Sequence, residues 1–185
     1  MVDVAGHLGM ALLWLAPAWL LAGRSTPVGT FVAVGVLFGM LPDVDLPLKT
    51  VVGTIEHHGV LHTVLFVTVA AAVLGPVLSL AYRRVADTVD ESSKPAEWPG
   101  FAFWFLVVWI PGLSHLFADM LSAPDVAQAV EPFWPLYSQS LGIDLVWYDD
   151  PWFNWGLLLA GVLLNAGLWW RRSRQAALTP SKRWD

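Results

Sequence analysis

The chain alternates between long hydrophobic stretches and short polar segments. Five hydrophobic stretches cover residues 4–22, 28–41, 60–81, 101–121 and 152–170. A helix that crosses a bilayer needs roughly 20 mostly apolar residues, because each residue rises about 1.5 Å along the helix axis. Four stretches are long enough, and residues 28–41 must include Thr26 and Pro27 or cross a locally thinned bilayer. The pattern predicts an all-α fold, an integral membrane helical bundle of about five transmembrane helices.

Residues 1–22 have a second interpretation, a cleaved signal peptide with small residues around Ala16. Signal peptides begin with a positively charged region. Here Asp3 precedes the hydrophobic stretch, no Lys or Arg does, and the stretch continues through Trp19. We therefore interpret these residues as the first span.

The overall composition agrees with a membrane protein. Hydrophobic residues make up 56% of the chain and charged residues 14%, and the mean hydropathy is +0.58. The net charge of −5 argues against a nucleic-acid partner, because a phosphate backbone needs a basic surface. The absence of cysteine excludes disulfides, thiolate metal sites and cysteine nucleophiles. We expect one membrane-embedded domain, residues 1–170, and a basic cytoplasmic tail, residues 171–185.

The positive charges predict the orientation of the chain in the membrane. Lys and Arg residues near span ends are retained in the cytoplasm. If the C-terminal tail is inside, Lys49 is the only one of the ten Lys and Arg residues that falls outside. The others are Arg24, Arg83, Arg84, Lys94, Arg171, Arg172, Arg174, Lys182 and Arg183. The prediction is a multi-pass protein of the plasma or inner membrane, with its N-terminus outside and its C-terminus inside.

The side chains that could carry chemistry gather near the predicted outer ends of the spans. They are all five histidines, His7, His57, His58, His62 and His115, together with Asp43, Asp45 and Asp119. Ionisable groups at membrane depth are costly unless they are paired or bind an ion. The sequence therefore predicts a polar site at this boundary.

His115 and Asp119 are four residues apart in the predicted fourth helix, so both side chains lie on one face. They either bind one metal ion together, or Asp119 orients His115 without a metal. Both alternatives bring an imidazole and a carboxylate into contact.

Asp43 and Asp45 lie in the string LPDVDLP, where we expect prolines to end the second span in an extended turn. Side chains alternate in extended backbone, so both carboxylates meet one ion only if the backbone bends. The alternative is a proline-rich loop with solvated acids.

The string EHHGVLHT permits two pairs of histidine ligands. His58 and His62 share a helical face if the third helix already begins at His58, as in zinc-binding helix pairs. His57 and His62 converge only if His57 precedes the helix and Gly59 permits a turn. The residues alone leave both pairs open.

The candidate ligands favour two metal ions over one. Asp43, Asp45 and Asp119 contribute three negative charges, so one dication leaves the site negative, whereas two leave a charge of about +1 that suits a phosphate oxygen. Imidazole and carboxylate ligands without sulfur suit Zn²⁺, Mn²⁺ or Fe²⁺. We expect zinc first, with a metal-activated water as the nucleophile and the second ion at the leaving oxygen.

Four short strings in one order carry a family resemblance. After the N-terminal histidine come LPDVD, HHGVLH, HLFAD and PFWPL. This order resembles the YdjM-like family of membrane-bound metal-dependent hydrolases, also described as LexA-binding inner-membrane proteins, over most of the chain up to about Trp155. The family motif at the third string is His-Arg-Gly-x-x-His, so His58 stands where an arginine is usual.

The resemblance implies a ligand set and a reaction class. The implied metal ligands are His7, Asp43, Asp45, His57, His62, His115 and Asp119, with His58 as an additional ligand or a phosphate contact. A looser resemblance to zinc-dependent phospholipase C and related all-α nucleases suggests phosphoester chemistry. We expect a hydrolase acting on a lipid or lipid-linked substrate, with Asp43, Asp45, His62, His115 and Asp119 as its catalytic residues.

A second class of function is a non-catalytic metal-binding membrane protein, which would be a scaffold, a sensor or an ion carrier. A carrier usually places ionisable ligands near the bilayer midplane, where the only polar candidate is Asn165. A protein partner would have to dock on residues 83–98 or 171–185. The aromatic residues of segment 123–151 fit either a lid over the site or an interfacial belt.

Overall fold

The computed structural model describes residues 2–23, 26–88, 99–122 and 127–178, and over these ranges the fold is all-α. The helices are α1 (Val4–Leu15), α2 (Ala18–Leu21), α3 (Val28–Gly35), α4 (Asp45–Val51), α5 (Val64–Ala86), α6 (Phe101–Leu121) and α7 (Pro151–Ala177). Three 3-10 turns, Val36–Met40, Pro42–Val44 and Val60–His62, join them. The described residues contain no β-strand, so the predicted fold class is confirmed.

The predicted number of spans is also confirmed. Four helical segments are long and apolar enough to cross a membrane: Val4–Leu21, Val64–Ala86, Phe101–Leu121 and Pro151–Ala177. The pair Val28–Met40 and Pro42–Val51, bent by 44°, makes a fifth if it is one broken span. The orientation stays a prediction, and Arg24, Lys94, Lys182 and Arg183, on which it partly rests, lie outside the described residues.

The second span differs from its prediction around the two carboxylates. We expected an extended turn between Pro42 and Pro47, but the backbone stays helical, with a 3-10 turn at Pro42–Val44 followed by α4. Pro47 is compatible with a helix here because it lies in the first turn, whose N–H groups have no partner within the helix. The extended-turn prediction is therefore wrong, and both carboxylates lie at the bend.

The third span begins later than predicted, at Val64 rather than at residue 60. Thr63 has an extended backbone, and its hydroxyl accepts a hydrogen bond from the backbone nitrogen of Phe66 at 3.0 Å, which caps the helix. His58 and His62 thus precede the helix, which excludes the alternative in which they share a helical face.

The last helix continues past the predicted end of its span at residue 170. It starts at Pro151, where the Asp150 side chain caps it by accepting a hydrogen bond from Phe153 N, and it runs to Ala177. The beginning of the predicted basic tail is therefore part of α7.

Glycines let the helices approach closely at the two main interfaces. A Cβ atom added at Gly9 of α1 would lie 2.4 Å from the backbone nitrogen of Leu158 in α7. A Cβ atom at Gly112 of α6 would lie 2.6 Å from a methyl group of Val67 in α5. Small residues commonly permit such backbone approach in membrane bundles. The two contacts bring the helix ends that carry the histidines together.

Candidate metal centre

Four parts of the chain place their ionisable side chains at one end of the bundle. His7 lies near the start of α1, and His115 and Asp119 lie in the last two turns of α6. Asp43 and Asp45 come from the bend in the second span, and the His57, His58 and His62 group precedes α5. The site is built on span ends, as predicted, and His7, Asp45, His62 and His115 are each 0% exposed.

Four donor atoms form the centre of the cluster: Oδ1 of Asp43, Nε2 of His62, Nε2 of His115 and Oδ2 of Asp119. The two Nε2 atoms are 3.2 Å apart, and each lies 3.4 Å from Oδ1 of Asp43. Oδ2 of Asp119 lies 3.1 Å from Nε2 of His115 and 3.6 Å from Nε2 of His62. Ligands about 2.0–2.1 Å from a tetrahedral zinc ion are about 3.3 Å apart, so these distances match such a site.

The other ring nitrogens of the two histidines are held from behind. Nδ1 of His115 donates a hydrogen bond to the Gly39 carbonyl at 2.7 Å, so the neutral ring presents the lone pair of Nε2 to the centre. Nδ1 of His62 lies 3.1 Å from Oδ2 of Asp45, close enough to orient the ring although the alignment is not that of a hydrogen bond. Such partners behind metal-binding histidines fix the ring orientation.

His7 lies on the opposite side of Asp119 from His62. Its ring stacks on His115 with centroids 3.7 Å apart, and its Nε2 lies 3.3 Å from Oδ1 of Asp119. The same oxygen accepts a hydrogen bond from the backbone nitrogen of Val2 at 3.2 Å. Asp119 thus faces His115 with one oxygen and His7 with the other, the arrangement of a bridging carboxylate.

His57 and His58 take different positions. Nδ1 of His57 donates to Oδ1 of Asp45 at 2.9 Å, so His57 contacts the residue behind His62. Nδ1 of His58 donates to the Gln128 carbonyl at 2.5 Å, and its Nε2 lies 3.8 Å from Oδ2 of Asp119. The geometry places His58 closer to Asp119 and His57 closer to Asp45.

The turn that separates these histidines has its left-handed residue at His58, whose φ is 64°. Gly59 permits the turn, as expected: its φ and ψ are −83° and −141°, and a Cβ atom added there would lie 2.9 Å from the Glu56 carbonyl oxygen. A non-glycine residue in the left-handed region is strained and requires support from its surroundings. The hydrogen bond from His58 to the Gln128 carbonyl supplies such support.

The pKa values of His58 and His62 shift in opposite directions. Burial lowers the pKa of the His58 imidazole to about 4, so this ring is neutral at neutral pH and has no positive charge to offer a phosphate. Burial also opposes the charged form of His62, but the carboxylates of Asp43 and Asp45 outweigh burial and raise the pKa of His62. A cation bound by these carboxylates would take the place of that proton.

The donor set fits a metal ion. Buried polar atoms nearly always have a hydrogen-bond partner, but in this cluster several have none among the described residues. They are Nδ1 and Nε2 of His7, Oδ1 of Asp43, Oδ2 of Asp45, Nε2 of His58, Nδ1 of His62 and Oδ2 of Asp119. Four overlapping groups, His57–His58–His62, His7–His115–Asp119, Asp43–His62–His115 and Asp43–Asp45–His57, each bring their ligand atoms within 4.8 Å of one another. The cluster can therefore hold a metal ion.

Three contributors to the site could not be found from the sequence. Gly39, Gln128 and Val2 act through backbone atoms that any residue possesses, so their side chains give no signal. Gly39 and Gln128 supply carbonyl acceptors, and Val2 supplies an N–H donor. Glu131 and Asp144, two carboxylates of the segment that follows α6, do not belong to any of the metal-ligand groups in the described residues.

The segment predicted as a lid or an interfacial belt is described from residue 127 onward, and Asp125 lies outside the described residues. It attaches to the end of α6 through hydrogen bonds from Ile143 N to Met120 O at 2.6 Å and from Leu145 N to Leu121 O at 2.8 Å. Several of its apolar side chains are exposed, with Leu136 at 95% and Trp147 at 57%. The segment is thus fixed beside the site and presents apolar side chains outward.

A comparison with known families identifies one match over nearly the whole chain. A family model described as YdjM inner membrane protein matches residues 1–181. No curated protein and no solved structure matches the chain.

Proposed function

We propose that this chain, which belongs to the YdjM inner membrane protein family, is a membrane-bound metal-dependent hydrolase of a phosphoester or similar bond in a lipid or lipid-linked substrate. The observation that carries the proposal is the convergence of four buried donor atoms from Asp43, His62, His115 and Asp119, with the two histidine nitrogens 3.1–3.6 Å from each other and from both carboxylate oxygens. Histidines and carboxylates without sulfur are the ligands of hydrolytic metal sites.

The residues divide into those that hold an ion and those that position the ligands. Asp43, His62, His115 and Asp119 would hold the first ion, with zinc favoured and manganese or iron as alternatives. Asp45 orients His62, and His57 in turn contacts Asp45. An ion bound here would supply Lewis-acid polarisation and activate water for attack on an ester.

A second ion completes the proposal. His7 and Oδ1 of Asp119 remain after the first four donors are used, and Asp119 would then bridge the two positions. A catalytic metal keeps coordination positions open for water and substrate, whereas a structural metal is enclosed by four protein ligands. The position at His7 has fewer protein donors, so substrate and water would bind there.

The location of the site supports a lipid substrate. His7 and Asp119 lie at the ends of α1 and α6, two helices that are long and apolar enough to span a membrane. Exposed aromatic side chains, Phe133, Trp134, Tyr137 and Trp147, lie in the adjoining segment. Aromatic residues favour the interfacial region of a bilayer, where phosphoester headgroups are found.

One observation favours a non-catalytic metal site as the second candidate function. A first ion held by Asp43, His62, His115 and Asp119 would have four protein ligands, which is typical of structural zinc. A single ion held there would serve a scaffold, a sensor or a carrier without hydrolysis. The two functions differ in the number of ions bound and in activity.

The test uses detergent-purified protein loaded with Zn²⁺ or Mn²⁺ and a chromogenic phosphodiester, bis-p-nitrophenyl phosphate. We expect hydrolysis that a chelator abolishes and that both Asp119→Asn and His7→Ala eliminate. Asp149→Asn, which changes an exposed carboxylate, is the matched control and should keep full activity. Metal-loaded protein that hydrolyses neither this ester nor phospholipid in vesicles would support the non-catalytic function instead.

A further inference from the structure

A cavity adjoins the metal centre on the side of the segment that follows α6. It has a volume of about 230 Å³, and its lining includes Glu56, His58, Glu131 and Trp134. Pockets that enclose drug-sized ligands have volumes of about 300–1,000 Å³. This cavity therefore suits one small chemical group rather than a whole lipid.

The cavity is connected to the metal centre through His58. A narrower pocket that contains Asp119 shares three lining residues with the cavity: His58, Gln128 and Ala129. His58 is 8% exposed, and its Nε2 has no hydrogen-bond partner among the described residues. Since this Nε2 lies 3.8 Å from Oδ2 of Asp119, a ligand at the metal centre would be separated from the cavity by one imidazole ring.

The lining favours a positively charged occupant. Glu56 and Glu131 supply two carboxylates, and neither forms an ion pair with a Lys or Arg in the described part of the chain. The ring of Trp134, 39% exposed, borders the same cavity. Carboxylates and an indole face together attract alkylammonium groups through charge and cation–π interactions. An anionic group would be repelled.

We propose that this cavity binds the amine of a zwitterionic phosphoester whose phosphate group lies at the metal centre. The proposal rests on the proposed function, because the metal centre would hold the phosphate. Glu56 and Glu131 contact the ammonium group, and Trp134 covers it. The substrate class is then a choline-type or ethanolamine-type phosphoester, and phosphoesters with anionic headgroups are excluded.

Binding to the metal-loaded, full-length protein in detergent tests this inference, with calorimetry as the readout. The probes are phosphocholine and inorganic phosphate, which share the phosphate and differ in the amine. We expect phosphocholine to bind about tenfold more tightly, which corresponds to one favourable cation–π or ionic contact. The double variant Glu56→Gln/Glu131→Gln should bind both probes equally and retain the metal content of the unmodified protein.

Two further variants keep the result interpretable. Trp134→Leu changes one partly exposed side chain and should also reduce the preference for phosphocholine, so the inference does not depend on the double variant folding. Asp149→Asn removes an exposed carboxylate outside the cavity and should leave the preference unchanged. Vesicles of phosphatidylcholine and phosphatidylglycerol then distinguish the source of the amine. Faster hydrolysis of phosphatidylcholine assigns a lipid, hydrolysis of phosphocholine but of neither vesicle assigns a soluble ester, and equal hydrolysis of the two vesicles would contradict the amine cavity.

The outcomes separate the two proposals. Equal binding of both probes by the unmodified protein would overturn the amine cavity and leave the metal-dependent hydrolase intact. Selective binding of phosphocholine without hydrolysis of any phosphoester would overturn the hydrolase and support the cavity as a ligand site. A preference that survives in both Glu56→Gln/Glu131→Gln and Trp134→Leu would contradict the assignment of the amine to this cavity.

Discussion

Two groups of buried polar side chains lie inside the bundle, one around Asn165 and one at the metal centre, and their hydrogen bonds differ. Asn165 donates to the carbonyls of Leu12 at 2.9 Å and Gly161 at 2.8 Å, and its Oδ1 accepts from Nε1 of Trp19 at 2.8 Å. Both ends of the amide are satisfied. The sequence showed Asn165 as an isolated polar residue, and the structure shows it joining α7 to the first span.

The break in the first span is stabilised in the same way. Helix α1 ends at Leu15, and α2 begins at Ala18, after Pro17. Arg172 of α7 donates to the carbonyls of Trp19 and Ala22, each at 3.1 Å, at the end of α2. These carbonyls lie at the end of a short helix, where the last carbonyl oxygens lack N–H donors within the helix.

The metal centre contrasts with these contacts. Among the buried side-chain atoms without a hydrogen-bond partner in the described residues, all but Nε1 of Trp104 belong to its histidines and aspartates. A protein can satisfy a buried amide with backbone carbonyls, as at Asn165, whereas imidazole nitrogens and carboxylate oxygens that face one another are satisfied by shared protons or by a bound cation. The contrast distinguishes polar residues that hold helices together from those that could bind an ion.

Removal of the metal should have the largest effect on stability. A ligand present at about 1,000 times its dissociation constant stabilises the folded state by about 4 kcal/mol. We expect a chelator to lower the melting temperature of the purified protein by several degrees, measured by scanning fluorimetry in detergent. The variant Asp43→Asn should melt at the same temperature with and without chelator, and a chelator effect that persists in this variant would point to a different site.

Asp45→Asn should weaken metal binding without removing a ligand. The amide cannot hold Nδ1 of His62 as a carboxylate does, and loss of such a partner typically reduces metal affinity about 10–100-fold. Competition with a fluorescent zinc chelator measures this affinity. Asp149→Asn is the charge-matched control, and equal affinities in the two variants would show that Asp45 does not orient His62.

His57→Ala should have a smaller effect than Asp45→Asn. Nδ1 of His57 donates to Oδ1 of Asp45, the residue that orients His62, at 2.9 Å, so we expect a loss of affinity of less than about tenfold. His58→Ala should leave the first ion in place, because its Nδ1 is held by the Gln128 carbonyl and its Nε2 lies 3.8 Å from Asp119. The reverse order, measured by the same chelator competition, would indicate that His58 is the ligand.

Asn165→Leu should produce the smallest effect and should leave the metal untouched. The substitution removes the partners of Trp19 and Leu12, and side-chain hydrogen bonds between membrane helices contribute about 1 kcal/mol. The denaturation midpoint in detergent should fall slightly while the metal content stays constant. A loss of metal in this variant would break the distinction between the two groups.

The sequence predicted α6 and the clustering of histidines and aspartates at span ends, but it predicted the local backbone less well. The bounds Phe101–Leu121 follow from one uninterrupted hydrophobic stretch, and the structure reproduces them. The backbone at Asp43 differs from the prediction because Pro47 does not end the helix. It lies in the first turn of α4, where proline is tolerated. The spacing of hydrophobic residues also does not indicate that Thr63 caps α5 and that the helix therefore begins at Val64.

The arrangement of the ligands depends on contacts between distant parts of the chain. The predicted spans placed the histidines and aspartates on one side of the membrane, but they did not show whether His57 or His58 is the metal ligand. That choice depends on the left-handed turn at His58 and on the Gln128 carbonyl, which lies far along the chain. Sequence spacing describes neighbours within one helix, so it leaves such contacts undetermined.

The most direct test of the account is the metal content of detergent-purified protein, measured by elemental analysis beside the variants Asp43→Ala and His115→Ala. We predict at least one equivalent of zinc, manganese or iron in the unmodified protein and loss of that metal in both variants, while Asp149→Asn retains it. A folded protein that contains no metal, or variants that bind as much metal as the unmodified chain, would contradict it.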